Sequence, residues 1–157
     1  MSESILNRAA EKKCTNEKIM MTMLENSRGV LHYVINLNTS MYDYISPSCE
    51  SILGFTSHEL RSLGVGGFSR RIHPEDRQKV NDNFDCHYMG QDITLHIEYR
   101  FRHRDGGCKW LCDDRFVLYD DCGSPVAIIG EIHEITAEKK LQEKLYNLCS
   151  KHNITEA

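Results

Sequence analysis

The chain has 157 residues, a formal net charge of −4, and a composition that is 40 % hydrophobic and 27 % charged. That suffices for one domain with appendages and an ordinary packed core, and neither the charge nor any basic stripe supports nucleic-acid binding. No apolar run approaches the about 18 residues that a spanning helix needs, and the opening MSESILNRAAEKK lacks the apolar segment of a secretory signal. A cytoplasmic location is the expectation.

Residues 4–25 have helical periodicity, with Ile5, Leu6 and Ala9 in one apolar cluster and Ile19, Met20, Met23 and Leu24 in another. The polar middle allows one long helix or two short ones. Such a lead-in either pairs with a second copy of itself or covers one face of a sheet. Gly29–Leu37 alternates as a strand, and Met41–Ile45 completes a hairpin with it. Ser46 and Pro47 suit the cap and first turn of a short helix that ends at Gly54. Thr56 or Ser57 caps another, HELRSL, which ends at Gly64. The stretch LGVGGF lacks the Lys-Ser/Thr and the strand–helix context of a phosphate-binding loop, so its glycines are expected to form a flexible joint. Pro74, Glu75 and Asp76 open a longer helix running to about Met89. Three β-rich runs follow, Ile93–Arg102, Cys108–Tyr119 and Val126–Ile135, separated by DGG and DCGSP turns. The order predicts an α+β domain with a five-stranded antiparallel sheet.

Seven cysteines stand at 14, 49, 86, 108, 112, 122 and 149, with no C-x-x-C pair. Cys108 and Cys112 lie on one face of a strand about 13 Å apart, too far to share a metal. Local ligand spacing therefore gives no metal site, and the cysteines are expected to be reduced, acting as small core hydrophobes.

Four motifs carry a family resemblance: YISPSCESILGFTSHEL (44–60), RIHPEDR (71–77), EYRFRHRDGGCKW (98–110) and GSPVAIIGEIHEIT (123–136). In order and spacing they resemble a PAS domain of the bacterial sensory type with its C-terminal PAC motif. The resemblance implies a five-stranded antiparallel sheet with short helices on one face, and a pocket between sheet and helices. With the helical periodicity at both ends, the chain divides into an N-terminal helical cap or linker over 1–27, the PAS domain over 28–136, and a C-terminal amphipathic linker helix over 137–157, the signalling helix. The resemblance also implies dimerisation and a sensory role at the input of a histidine kinase, cyclic-dinucleotide enzyme or transcription regulator. Glu134-Ile135-Thr136 resembles the family's Asp-Ile-Thr signature, with Glu in place of Asp. Leu141, Leu145 and Leu148 follow at coiled-coil spacing, over only about one heptad where sustained pairing takes three or four. Glu134, Thr136 and these leucines are the expected signal relay.

The photoactive flavin subclass needs an Asn-Cys-Arg-Phe-Leu motif and a Gln on the last strand. Here GVGGFSRRI and Ile132 stand instead, which excludes it. In haem-binding members the ligand position falls near Asn81, and His87 is the long helix's interior histidine. No cofactor is the first expectation, with ordinary flavin or haem as alternatives, in a redox or gas sensor. A ligand-free protein-interaction domain is a third reading. Strand parity suggests a pocket wall of Leu95, Ile97, Tyr99, Trp110, Cys112, Ile128 and Ile132, faced by Phe84, His87 and Tyr88 from the long helix. The same lining also suits a filled core. Met20, Met23, Leu24 and Ile129 are candidates for a homodimer surface. No catalytic constellation stands out, and kinase and GGDEF-like motifs are absent, so the partner is a downstream output domain or protein.

Overall fold

The computed structural model describes residues 2–86 and 95–152, with side chains over 12–82 and 95–150. Helix α1 (Ser2–Glu25) is continuous through the polar middle of the lead-in. It is followed by β1 (Val30–Asn36) and β2 (Met41–Ile45), then α2 (Cys49–Leu53), α3 (Ser57–Ser69) and α4 (Pro74–Cys86). Strands β3 (Leu95–Arg102), β4 (Cys108–Tyr119) and β5 (Pro125–Glu134) lead into α5 (Thr136–His152). All pairings are antiparallel, in the order β2-β1-β5-β4-β3. The C-terminal meander thus closes onto the N-terminal hairpin, with β5 at the centre.

The inner face of the sheet carries Leu31, Tyr33 and Ile35 from β1, Ile97, Tyr99 and Phe101 from β3, Leu111 from β4, and Ile128 and Ile132 from β5. They pack with Cys49, Ile52, Leu53, Phe55, Leu60, Ile72 and Val80 from α2–α4 and their connections. Alternation on β1, β3 and β5 therefore runs as the sequence predicts. On β4 it does not: Leu111, Asp113 and Arg115 turn inward, while Phe116 and Leu118 are exposed. Hydrophobicity misassigns this strand because its outward parity holds the larger apolar residues, and its inward parity holds an ion pair.

Two local features differ from expectation. Ser46 does not cap α2; its Oγ accepts the His32 backbone N–H at 2.9 Å and lies 2.7 Å from Ser48 Oγ, which donates to the Val30 carbonyl. The serines fasten the start of α2 to β1 instead. The glycine joint is helical: α3 runs on to Ser69 through a kink at Gly64, whose φ of 63° and ψ of −178° only glycine adopts readily. Of the described side chains of α1, every one from Lys12 to Met23 is exposed, so this stretch does not cover the sheet. Of the two candidate caps of α3 it is Thr56 that acts, exchanging hydrogen bonds with Glu59 in a capping box. Arg104 Nη1 donates to the same Glu59 carboxylate at 2.7 Å and so ties the β3–β4 turn to α3.

Helix α4 is held to the sheet through its first turn. Asp76 accepts the Arg100 backbone N–H at 2.8 Å and the guanidinium Nε and Nη2 at 2.9 Å each. Arg100 reaches Glu75 as well, at 2.8 Å. The hydrogen bonds from Arg100 hold both carboxyls below their ordinary range. This is what the RIHPEDR motif does: an acidic helix start grips an arginine on the neighbouring strand.

Candidate functional site

A cavity of about 190 Å³ opens between the sheet and helices α3 and α4. The sheet contributes Tyr33, Ile35, Tyr99, Asp113 and Ile132, and the helical side contributes Val65, Phe68, Ile72, Val80 and Asn81. The kink at Gly64 places Val65 and Phe68 over the sheet, where the Phe68 ring stacks at 4.8 Å from that of Phe101. Tyr42 closes one side, with its ring edge-on to Tyr33 at 6.2 Å.

The polar centre of this mostly apolar space is Asp113. Tyr33 Oη donates to Asp113 Oδ1 at 2.9 Å and Tyr99 Oη to Oδ2 at 3.3 Å. The fully buried Arg115 brings its Nη2 to 3.8 Å from Oδ2. Burial raises the Asp113 carboxyl above the ordinary aspartate range, against the opposing pull of Arg115 and the two tyrosine hydrogen bonds. Burial, reinforced by the Asp113 charge, pushes the Tyr33 and Tyr99 phenols well above their usual value, so both remain donors.

Gly130 makes the arrangement fit. It is the direct cross-strand partner of both Tyr33 and Arg115. A Cβ at Gly130 would sit 2.4 Å from the Tyr33 hydroxyl oxygen and ring, so the tyrosine lies flat across bare backbone.

Of the side chains expected to line a pocket, Tyr99 and Ile132 do so. Ile97 and Ile128 are in the solid core, and Leu95 is half-buried at the start of β3. Trp110 and Cys112 correct the expectation, since both belong to the face of β4 turned away from α2–α4 and the cavity. The Trp110 ring packs beneath α5, and Cys112 Sγ lies 3.5 Å from His96 Nδ1. The side chain of Phe84, and His87 and Tyr88 altogether, lie outside the described residues. Sequence reasoning missed Tyr33, Asp113 and the Val65–Phe68 segment. Asp113 was within reach, because two buried tyrosine hydroxyls require an acceptor.

At the far edge of the sheet, α5 is anchored by several ties. The Ile135 N–H donates to the Trp110 carbonyl at 2.9 Å, and the Trp110 N–H donates to Thr136 Oγ1 at 3.1 Å. Lys139 donates to Glu98 on β3 and stands 5.3 Å from the Trp110 ring centroid. The Arg100 guanidinium approaches the same ring at 5.4 Å. Glu134 takes the Lys109 ammonium at 2.8 Å, and Lys109 also donates to the Ile52 carbonyl at the end of α2. Partial burial opposes ionisation of Glu134, but the Lys109 and Thr136 hydrogen bonds outweigh it and leave its carboxyl below the ordinary range. Beyond this anchor, Leu141, Leu145 and Leu148 are exposed. On the outer sheet face Ile129 is half-buried between Val34 and Phe116, and Met20 and Met23 of α1 are exposed, with Leu24 half-buried.

Residues 42–132 match the sequence model of a family described as the PAS fold. The chain belongs to the PAS family. The N-terminal domain of a diguanylate cyclase with PAS/PAC sensor from Marinobacter aquaeolei is 32 % identical, with a TM-score of 0.64, over 70 % of this chain and 98 % of that one. A sensory box histidine kinase/response regulator from Burkholderia thailandensis is 25 % identical, with a TM-score of 0.67, over 88 % and 98 %. A PAS domain from Colwellia psychrerythraea shares the fold at 17 % identity and a TM-score of 0.61, over 76 % of this chain and 97 % of that chain. No curated protein matches the chain at a significant level. Among the described residues, no helix of this PAS domain is long and apolar enough to cross a membrane.

Proposed function

We propose that this PAS domain is the sensory and dimerisation input of a signal-transduction protein whose output is a histidine kinase, a cyclic-dinucleotide enzyme or a regulator. The observation that carries the reading is the Tyr33–Asp113–Tyr99 centre opening into the cavity. Asp113 serves the two buried tyrosine hydroxyls and Arg115, and because it also lines the cavity, a small ligand with one donor group and an apolar or aromatic body finds there an acceptor and a wall. The cavity is close to the about 150 Å³ that accepts benzene and below the about 300–1,000 Å³ of drug and cofactor pockets. A monocyclic molecule fits this volume better than haem or flavin.

The domain has no catalytic role of its own in this reading, acts in the cytoplasm, and passes its signal on through α5. Its homodimer forms through Met20, Met23 and Leu24 of α1 and Ile129, and the exposed Leu141, Leu145 and Leu148 stripe of α5, too short to pair alone, adds to that contact. Mass spectrometry of the natively purified, then denatured protein tests the ligand. Recovery of a small polar-tipped aromatic or carbocyclic molecule is expected, with no Soret or flavin absorption beforehand. Such a visible band would replace this reading by a cofactor-based sensor.

A further inference from the structure

The outer face of the sheet holds a second constellation that the cavity does not use. Cross-strand register sets His96 of β3 opposite Asp114 of β4, Asp114 opposite Glu131 of β5, and Glu131 opposite His32 of β1. One row along, Cys112 stands opposite both Glu98 and His133. Each position is two residues from the next on its strand, so all of these side chains share the face.

Three of them already converge. The Cys112 thiol lies 3.5 Å from His96 Nδ1 and 3.6 Å from Asp114 Oδ2, and His96 Nδ1 lies 2.8 Å from Asp114 Oδ1. Tetrahedral zinc, with bonds of about 2.3 Å to sulfur and about 2.0–2.1 Å to nitrogen or oxygen, separates a sulfur from a neighbouring donor by about 3.6 Å. Both contacts from the sulfur are at that length, the one to the carboxylate through Oδ2. The histidine–aspartate hydrogen bond runs through the other oxygen, Oδ1, and a metal would replace it by holding one carboxylate oxygen about 3.3 Å from the nitrogen. Adjoining this set, ligand atoms of Asp114, Glu131 and His133 lie within 4.8 Å of one another.

We propose that His96, Cys112 and Asp114 form a site for a thiolate-accepting divalent transition metal, zinc above all, on the face of the sheet opposite the cavity. Thiolate, imidazole and carboxylate together suit zinc and disfavour magnesium or calcium, which take oxygen ligands. The fourth position is left for water, with Glu131 and His133 beside it. A metal there would clamp β3 to β4 next to Glu98, the residue that receives Lys139 from α5. The site escapes sequence reading because register, and not local spacing, assembles it.

The test is titration of the reduced, chelator-treated full chain with Zn²⁺, followed by calorimetry, and with Co²⁺, followed by absorption. One equivalent of Co²⁺ should give a thiolate-to-cobalt charge-transfer band with tetrahedral ligand-field bands. The variant with Cys14, Cys108, Cys122 and Cys149 all changed to serine should keep them. Cys112→Ser should abolish the charge-transfer band. His96→Ala, at an exposed position, should weaken Zn²⁺ binding at least tenfold with unchanged circular dichroism. Absence of the band from the wild type, its survival in Cys112→Ser, or Zn²⁺ affinity unaltered by His96→Ala would overturn the proposal.

Discussion

Asp113 decides more of this domain's character than any other side chain. It accepts from two buried tyrosines and stands 3.8 Å from a buried arginine. Removing one partner of a buried charged pair costs about 3–5 kcal/mol, because the other charge is left behind. Asp113→Ala is therefore expected to lower the unfolding free energy by about that amount, measured by urea denaturation at neutral pH. Gly130→Ala acts on the same centre from the opposite side. Its new methyl meets the Tyr33 ring and must push it off Asp113, at a cost of about 1–3 kcal/mol. An unchanged midpoint and unchanged Tyr33 ring resonances would show that the tyrosine has room to yield. At this scale the sequence was partly legible. Tyr99 and Ile132 follow from alternation, but an inward Asp113 and Arg115 run against every hydrophobic rule and become readable only when the tyrosines' need for an acceptor is considered.

At the scale of elements, α4 and α5 are tied to the sheet by carboxylates whose ionised forms are favoured in the fold. Asp76 grips Arg100, and Glu134 holds Lys109 beside the α5 junction. Both carboxyls titrate below their ordinary range. Their contribution is therefore present above that range and lost as pH falls through the folded-state values, below about pH 4. Trp110, the single tryptophan, lies under α5 beside Lys139 and Arg100. Its fluorescence should change as pH drops below about 4, and Lys139→Ala should shift its emission toward the exposed value already at pH 7. An emission spectrum identical to wild type would mean that Lys139 does not hold the helix. Element identities were the most legible feature: all five strands and a cap at Thr56 or Ser57 for α3 follow from pattern. The continuation of α3 through GVGGFS did not, because glycine-rich sequence predicts a joint, and only packing of Val65 and Phe68 against the sheet sustains the helix.

For the whole molecule, the organisation is a sheet with two working faces and a helix leaving its edge. The inner face carries the cavity; the outer face carries the ligating rows and an apolar patch of Ile129, Phe116 and Leu118. Apolar stripes on α1 and α5 are left exposed, and in water such stripes favour self-association. Replacing Leu141, Leu145 and Leu148 together by serine should raise the dimer dissociation constant at least tenfold in sedimentation equilibrium without altering the fold. A wild type that sediments as a monomer at tens of micromolar would contradict the dimer.

In the proposed function the Tyr33–Asp113–Tyr99 cavity receives a small ligand. Titration of the ¹⁵N-labelled protein with phenol, a monocyclic body with one donor, tests it most directly. Saturable shifts are predicted at the amides of Tyr33, Phe68, Val80, Asp113 and Ile132, and these shifts should vanish in Ile132→Trp, which fills the space. Shifts scattered over the exposed surface, or none at all at these five positions, would contradict it.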